Sequence, residues 1–169
     1  EIYLVESSDD VRTLEVNNPA MLRFVTQTTL SKDDTAVVID TLHQCFPQIE
    51  GPQKEDICYA TQNRQDAVKQ LVEECDLILI VGSKNSSNSN RLCEIAKNKN
   101  LEGYLIDSAD DIQPAWLENK KRIGLSAGAS APELLVQNVI EFLKVQGATS
   151  VSSLGFSEDV VFSLPKALR

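Results

Sequence analysis

The chain has 169 residues, 42% of them hydrophobic, so it can form the core of one ordinary domain or two small ones. Its formal net charge of -9 at pH 7 argues against a nucleic-acid surface, because an acidic protein repels a phosphate polyanion. The apolar runs reach only about five residues, far short of the roughly 20 that cross a bilayer. We therefore expect no nucleic-acid partner, no membrane segment and a cytoplasmic location.

An apolar run, a polar loop and an amphipathic helix follow one another four times along the chain. The apolar runs are LRFVT at 22–26, ICYA at 57–60, LILIV at 77–81 and RIGLSA at 122–127. The segments after them carry apolar residues at the helical spacing of three and four, and the first helix is predicted at about 34–46. This alternation predicts an α/β fold with parallel sheets flanked by helices.

The Pro and Gly residues of QIEGPQK divide this pattern into two parts. We predict a partial α/β domain at 1–54, a complete α/β domain at 55–143 and a C-terminal tail at 144–169 that lies against the body. The last apolar run of the tail is VVFSL. Since the chain opens at EIYLVES without Met, already within a strand-like run, we expect an upstream segment to be missing.

Three of the polar loops end in signals for a helix start. The signals are Ser31, Asn63 and the Ser-Ala-Pro-Glu sequence that begins at Ser130, which has the form of a capping box. Each predicted loop therefore ends where its helix begins.

The loops are rich in Ser, Thr and Asn, above all GSKNSSNSN at 82–90. In open α/β sheets, ligands bind beyond the carboxyl ends of the strands, where helix N-termini point unpaired N–H groups outward. Hydroxyl and amide groups there can donate to an anion, so a small anionic ligand such as a phosphate is expected. The alternative is that these residues only cap helices and solvate loops. A nucleotide is not indicated, because the G-x-G-x-x-G and P-loop sequences are absent.

The four cysteines and the single histidine do not form a recognisable zinc or nucleophile motif. Cys45, Cys75 and Cys93 fall in helical patterns and are predicted to be small packed hydrophobes. His43 also lies in a helical pattern and is predicted to be a surface residue without a catalytic role. Cys58 differs, because it stands at the start of a predicted strand just before a polar loop; its composition alone favours a buried thiol.

Five stretches, in this order and spacing, resemble the family of the iron-sulfur enzyme 4-hydroxy-3-methylbut-2-enyl diphosphate reductase, also called LytB/IspH. They are FVTQTTLSKDDT, DICYATQNRQDAV, VGSKNSSNSNRL, YLIDSADDIQ and SAGASAPELLVQNVI. The resemblance covers essentially the whole chain. It implies a reductase that removes the C4 hydroxyl of an allylic diphosphate, giving isopentenyl and dimethylallyl diphosphate for isoprenoid biosynthesis.

The resemblance also implies roles for individual residues. Cys58 matches one of three cysteine ligands of a 4Fe-4S cluster, and Thr28 matches a threonine of the proton relay near the substrate hydroxyl. The substrate's diphosphate is expected to contact Ser86, Ser87, Asn88 and Ser130. The implied electron donor is a flavodoxin or a ferredoxin.

The chain also departs from the family pattern. The other two cluster cysteines, the phosphate-binding histidines and the catalytic glutamate of the family lie upstream of its first residue. The resemblance therefore implies a C-terminal portion that is inactive alone, one partial and one complete α/β domain of a three-domain fold.

Two other interpretations remain open at this point. The chain is also compatible with a non-redox, diphosphate-binding α/β module in which Cys58 is only a strand thiol. A third interpretation is a structural partner that supplies one cluster ligand to a separate chain that carries the other two.

Overall fold

The computed structural model describes residues 1–53 and 56–154. Its helices are α1 (Ser8–Arg12), α2 (Lys32–Cys45), α3 (Tyr59–Glu74), α4 (Ser87–Asn98), α5 (Pro114–Leu117) and α6 (Glu133–Val145). Its strands are β1 (Leu77–Val81), β2 (Gly103–Ile106) and β3 (Ile123–Ala127). Short 3-10 helices span Pro19–Met21 and Ala109–Asp111.

The three strands form one parallel sheet in the order β2-β1-β3, with helices on both faces. The predicted α/β fold is therefore confirmed. All five residues of the central strand β1 are 0% exposed, because side chains alternate between two apolar layers. Ile78 and Ile80 pack with residues of α3 and α4, whereas Leu77, Leu79 and Val81 pack with residues of α6.

The predicted strand at 22–26 is wrong, since it contributes only an isolated bridge between Arg23 and Glu50. Phe24 N–H donates to the Glu50 carbonyl at 3.0 Å, and Glu50 N–H donates to the Leu22 carbonyl at 3.2 Å. The next donor of a parallel ladder would come from Pro52, which has no N–H group. The ladder therefore stops after one pair.

The predicted strand at 57–60 is also wrong. Cys58 has extended backbone angles and occupies the N-cap of α3, which begins at Tyr59. Buried residues recur on α3 at helical spacing, at Thr61, Gln65 and Val68, so tertiary packing extends the helix back to Tyr59. In contrast, the half-buried edge strand β2 forms where the sequence pattern predicted none.

The helix-start signals have mixed outcomes. Ser31 caps α2, where its hydroxyl accepts the Asp34 N–H at 3.4 Å, as predicted. Asn63 lies inside α3, because that helix starts four residues earlier. Ser130 is not a cap either, since Pro132 occupies the N-cap of α6 and makes no capping side-chain hydrogen bond. His43 is exposed in the last turn of α2, as predicted.

The first 53 residues surround a small core of their own. Val11, Leu42 and Ile49 are its buried members. The sheet, by contrast, lies wholly within 77–127. This separation agrees with a boundary near 54–55, which stays a prediction.

Helix α6 ends at Val145, two residues beyond the predicted limit of the second domain, and 146–154 belong to no helix or strand. The predicted run VVFSL lies outside the described residues. Among the helices of the described segments, none is long and apolar enough to cross a membrane.

Candidate functional site

A cleft of about 260 Å³ opens at the carboxyl edge of the parallel sheet. It is lined by Val81, Gly82, Ser83, Ser86, Ser89, Asp107, Ser130, Ala131, Pro132 and Leu135. These residues follow all three strands, so the cleft occupies the position where open α/β sheets bind ligands. The cleft brings together two of the predicted diphosphate contacts, Ser86 and Ser130.

Two helices begin at this cleft. Ser86 is the N-cap of α4 and its hydroxyl accepts the Ser89 N–H at 3.3 Å, while Pro132 is the N-cap of α6. The first N–H groups of a helix lack partners within the helix and carry partial positive charge, which stabilises an anion. Asp107 lines the cleft with a carboxylate that opposes an anion. An anion therefore fits best between the two helix starts, away from Asp107.

The first turn of α4 contains a buried amide that lacks hydrogen-bond partners. Asn88 is 6% exposed, and neither its Nδ2 nor its Oδ1 has a partner among the described residues. A buried polar group without a partner costs about 1–3 kcal/mol, so this amide is a candidate ligand contact.

Two glycines make the close packing of this turn possible. A Cβ atom at Gly82 or at Gly128 would lie 2.3 Å from Ser89 Oγ. Ser89 is itself almost fully buried. Only glycine therefore lets the strand ends approach the first turn of α4 this closely.

A second cleft, of about 340 Å³, lies between the 27–30 loop and α4. It is lined by Gln27, Thr29, Leu30, Ser87, Asn90, Arg91 and Glu94. Ser87 therefore lies on this cleft, beside the neighbours of Thr28, and not with Ser86. Arg91 pairs with Glu94 at 2.8 Å and with Asp34 at 3.5 Å, so its charge is largely compensated.

Thr28 and Cys58 are neighbours in space. The Cys58 N–H donates to the Thr28 carbonyl at 3.0 Å across a gap of thirty residues in sequence. The Cys58 thiol is exposed, so the expectation of a buried thiol from composition alone is wrong. It stands at the N-terminus of the 16-residue helix α3, whose partial positive charge suits an anionic ligand group.

The remaining cysteines are poor candidates for metal ligands. Burial raises the pKa of the Cys93 thiol to about 11, and burial likewise raises the pKa of the Cys75 thiol, so both stay protonated at neutral pH. Cys93 is the packed hydrophobe that the sequence predicts, and Cys75 is half-buried. For Cys45 that prediction is wrong, since its side chain is exposed at the end of α2.

A 4Fe-4S cluster is bound by several thiolates, and the described residues offer one thiol that is suited to bind it. No group of three or more His, Cys, Asp or Glu side chains in the described parts of the chain is placed to hold a metal ion. Cys58 alone combines exposure with a helix N-terminus. The described residues therefore offer at most one ligand for such a cluster.

Several residues of the site do not appear among the sequence candidates. These are Gly82, Ser89, Asp107 and Gly128. Their positions in the chain could have identified them. Gly82, Asp107 and Gly128 each come directly after a strand, and Ser89 lies one helical turn from Ser86.

Comparison with known proteins gives consistent matches. The family described as LytB protein matches residues 1–144. A 4-hydroxy-3-methylbut-2-enyl diphosphate reductase of Marinobacter nauticus is 62% identical, and one of Pseudomonas entomophila is 60% identical. These matches cover 100% and 99% of this chain but 54% of each relative, so the chain spans about half their length.

A solved structure gives the same result. It is that of the E-1-hydroxy-2-methyl-but-2-enyl-4-diphosphate reductase from Plasmodium falciparum, with a TM-score of 0.83 and 35% identity. The match covers 98% of this chain and 53% of the other. The chain belongs to the LytB protein family.

Proposed function

We propose that this chain forms the diphosphate-binding part of a 4-hydroxy-3-methylbut-2-enyl diphosphate reductase and supplies one thiolate to its iron-sulfur cluster. The observation that carries the proposal is the cleft at the carboxyl edge of the sheet, where α4 and α6 both begin. The names of the relatives support the choice of substrate.

The diphosphate is held by neutral donors. Ser86 and Ser130 present hydroxyl groups to the cleft, and the unpaired Asn88 amide lies in the same turn of α4 as Ser86. Ser87 lines the second cleft, so its contact with the diphosphate stays a prediction from the resemblance. The helix N-termini add their N–H groups and partial charge, so no cation of the cleft lining is required.

The reaction consumes two electrons and two protons. The allylic C–O bond at C4 breaks, the hydroxyl group leaves as water, and a new C–H bond forms in isopentenyl or dimethylallyl diphosphate. Thr28 belongs to the proton relay and donates toward the substrate hydroxyl. Cys58 is the ligand that this chain gives to a 4Fe-4S cluster, which when bound supplies electrons and a Lewis-acidic iron.

The electrons come from a small one-electron carrier, a flavodoxin or a ferredoxin. A single thiolate in the described residues does not hold a cluster, so turnover requires further ligands. We therefore expect the 169-residue chain to be inactive alone.

The test compares this chain with a version extended upstream to the length of its relatives. Both are reconstituted anaerobically with iron and sulfide, and iron per chain, the electron paramagnetic resonance spectrum and reduction of the allylic diphosphate are measured. The extended chain should hold a cluster and turn over, and its Cys58→Ser variant should lose the cluster. Cys45→Ser is the matched control, since Cys45 is also exposed. A cluster that survives Cys58→Ser would remove Cys58 from the site.

A non-redox diphosphate-binding module is the second candidate. The observation that favours it is the cleft itself, which is formed by the described residues without any metal ligand. Diphosphate binding by an extended chain that never assembles a cluster would select this candidate.

A further inference from the structure

The loop that carries Thr28 is not fixed by regular secondary structure. Residues 26–30 lie in no helix or strand, and the isolated bridge at Arg23 ends before them. Other contacts must therefore determine where Thr28 stands relative to Cys58.

Four hydrogen bonds tie three alternate residues of this loop to one segment of the chain. The Thr26 N–H donates to Asp56 Oδ2 at 2.7 Å, and the Thr26 hydroxyl reaches the same oxygen at 3.4 Å. The Cys58 N–H donates to the Thr28 carbonyl at 3.0 Å. Gln65 Nε2 then donates to the Leu30 carbonyl at 3.4 Å. The loop is thus attached on both sides of Thr28.

Gln65 is an unusual residue for its position. It is 0% exposed on the buried face of α3, one turn before the core residue Val68, and its Oε1 has no hydrogen-bond partner among the described residues. Because burying an unpaired amide oxygen is unfavourable, a Met of similar volume would be expected to suit the core at least as well. Stability therefore does not explain why a Gln stands here.

We propose that Asp56 and Gln65 are positioning residues that hold Thr28 in register with Cys58. This inference rests on the proposed function, in which Thr28 relays a proton at a substrate that contacts the cluster. Neither side chain touches the substrate. Their effect is to make the loop and the start of α3 one rigid piece, so that the proton donor and the cluster ligand keep a fixed separation.

The first test measures the attachment itself, in the 169-residue chain and without a cluster. Amide hydrogen exchange is followed by NMR in wild type, Asp56→Ala and Asp56→Asn. In Asp56→Ala, we expect exchange at the Thr26 and Cys58 N–H groups to accelerate about tenfold, because local opening loses an anchor. Exchange in β1 should not change. Asp56→Asn keeps an acceptor oxygen and should restore most of the protection. Unchanged exchange at both amides in Asp56→Ala would overturn the proposal.

The second test measures catalysis in the upstream-extended protein with its reconstituted cluster. We expect Asp56→Ala and Gln65→Met to lower kcat about three- to tenfold at unchanged KM, since displacing a reacting group by about 1 Å costs up to about a hundredfold. Iron per chain and the unfolding midpoint should stay at wild-type values in Gln65→Met. Gln70→Met is the matched control, because Gln70 lies on the same helix and is exposed.

The outcomes separate the two proposals. An active wild-type enzyme whose kcat is unaffected by Asp56→Ala and Gln65→Met would overturn the positioning role alone. An extended wild-type protein without cluster or turnover would overturn the proposed function, and with it the reason for holding Thr28. If kcat fell equally in Gln70→Met and Gln65→Met, the effect would not depend on the bond to Leu30, and the role of Gln65 would be overturned.

Discussion

The two parts of the described chain are stabilised in different ways. In residues 56–145, a central strand with every side chain buried lies between two apolar layers supplied by three long helices. In residues 1–53, the core has three buried side chains, and the strand pairing is limited to one isolated bridge. Large apolar side chains such as Ile2, Leu4, Met21 and Val25 are exposed in that first part.

This difference shows how much of a fold depends on contacts rather than pattern. LILIV becomes a strand because β2, β3 and three helices cover it on every side. LRFVT has three apolar residues of five, and Pro52 ends the ladder that it begins with Glu50. An apolar run therefore predicts a strand only when partners with free N–H and C=O groups lie beside it.

The largest expected difference is in the rate of thiol alkylation, between Cys45 of the first part and Cys93 of the second. Cys45, in the first part, is exposed, whereas Cys93 is buried between α4 and the sheet. At pH 8, about one in a thousand Cys93 thiols is ionised, because its pKa is about 11. We expect iodoacetamide to modify Cys45 at least about a hundredfold faster in the native chain, as followed by peptide mass spectrometry. Equal rates would mean that Cys93 is as accessible as Cys45, which would contradict its burial against the sheet.

Truncation of a buried leucine should cost more free energy of unfolding in the core around the sheet than in the core of residues 1–53. Leu79→Ala leaves a cavity at the centre of the sheet, where no side of the residue reaches solvent. We expect a loss in unfolding free energy near the top of the about 2–5 kcal/mol range for such changes. Leu42→Ala, in the smaller core, should fall near the bottom. Urea unfolding measures both, and a larger loss for Leu42→Ala would reverse our ranking of the two cores.

Substitution of Gly82 tests whether the end of β1 must lie close to Ser89 in the first turn of α4. In Gly82→Ala, the new Cβ would lie 2.3 Å from Ser89 Oγ, so the first turn of α4 must shift. We expect about 1–3 kcal/mol of destabilisation, measured by urea unfolding, together with weaker diphosphate binding. Gly147→Ala is the control: its φ of 109° is strained for Ala, but no atom lies within 4 Å. Its binding should be unchanged, and weaker binding there would argue against a local effect.

The smallest predicted effect concerns acid stability at the start of β3. Asp76 accepts the N–H groups of Arg122 at 2.9 Å and of Lys121 at 2.8 Å, and these bonds lower the pKa of its carboxyl below the ordinary 3.8. The folded state thus binds this proton less readily than the unfolded state. The stabilisation is complete above about pH 4 and is lost as the pH falls through the lowered pKa. Asp76→Asn should flatten unfolding-midpoint curves between pH 5 and pH 2, and an unaltered slope would contradict this.

The sequence predicts the fold best where local pattern and packing agree. LILIV, RIGLSA and the helices after them form as predicted, because their periodicity matches the layers that cover them. The local pattern predicts a strand at Cys58, since nothing in it shows that α3 begins at Tyr59 and buries Thr61. β2 was not predicted, because a half-buried run of four residues has little pattern of its own.

The candidate site was less predictable than the fold. Ser86 and Ser130 share a cleft because β1 and β3 are neighbours in a parallel sheet, which the βα pattern implies. The hydrogen bonds of Asp56 and Gln65 to the 26–30 loop depend on packing between segments about thirty residues apart. No spacing rule in the sequence reveals such contacts.

The carboxyl edge of the sheet, where α4 and α6 begin, is the proposed diphosphate site. The most direct test is a titration of the 15N-labelled 169-residue chain with inorganic diphosphate, followed by NMR. We predict saturable amide shifts at 86–90 and 128–133. The shifts should be lost in Asn88→Leu and retained in Asn98→Leu, because Asn98 is exposed at the far end of α4. Shifts confined to exposed Lys and Arg residues elsewhere, or no saturable shift at these two segments, would contradict the account.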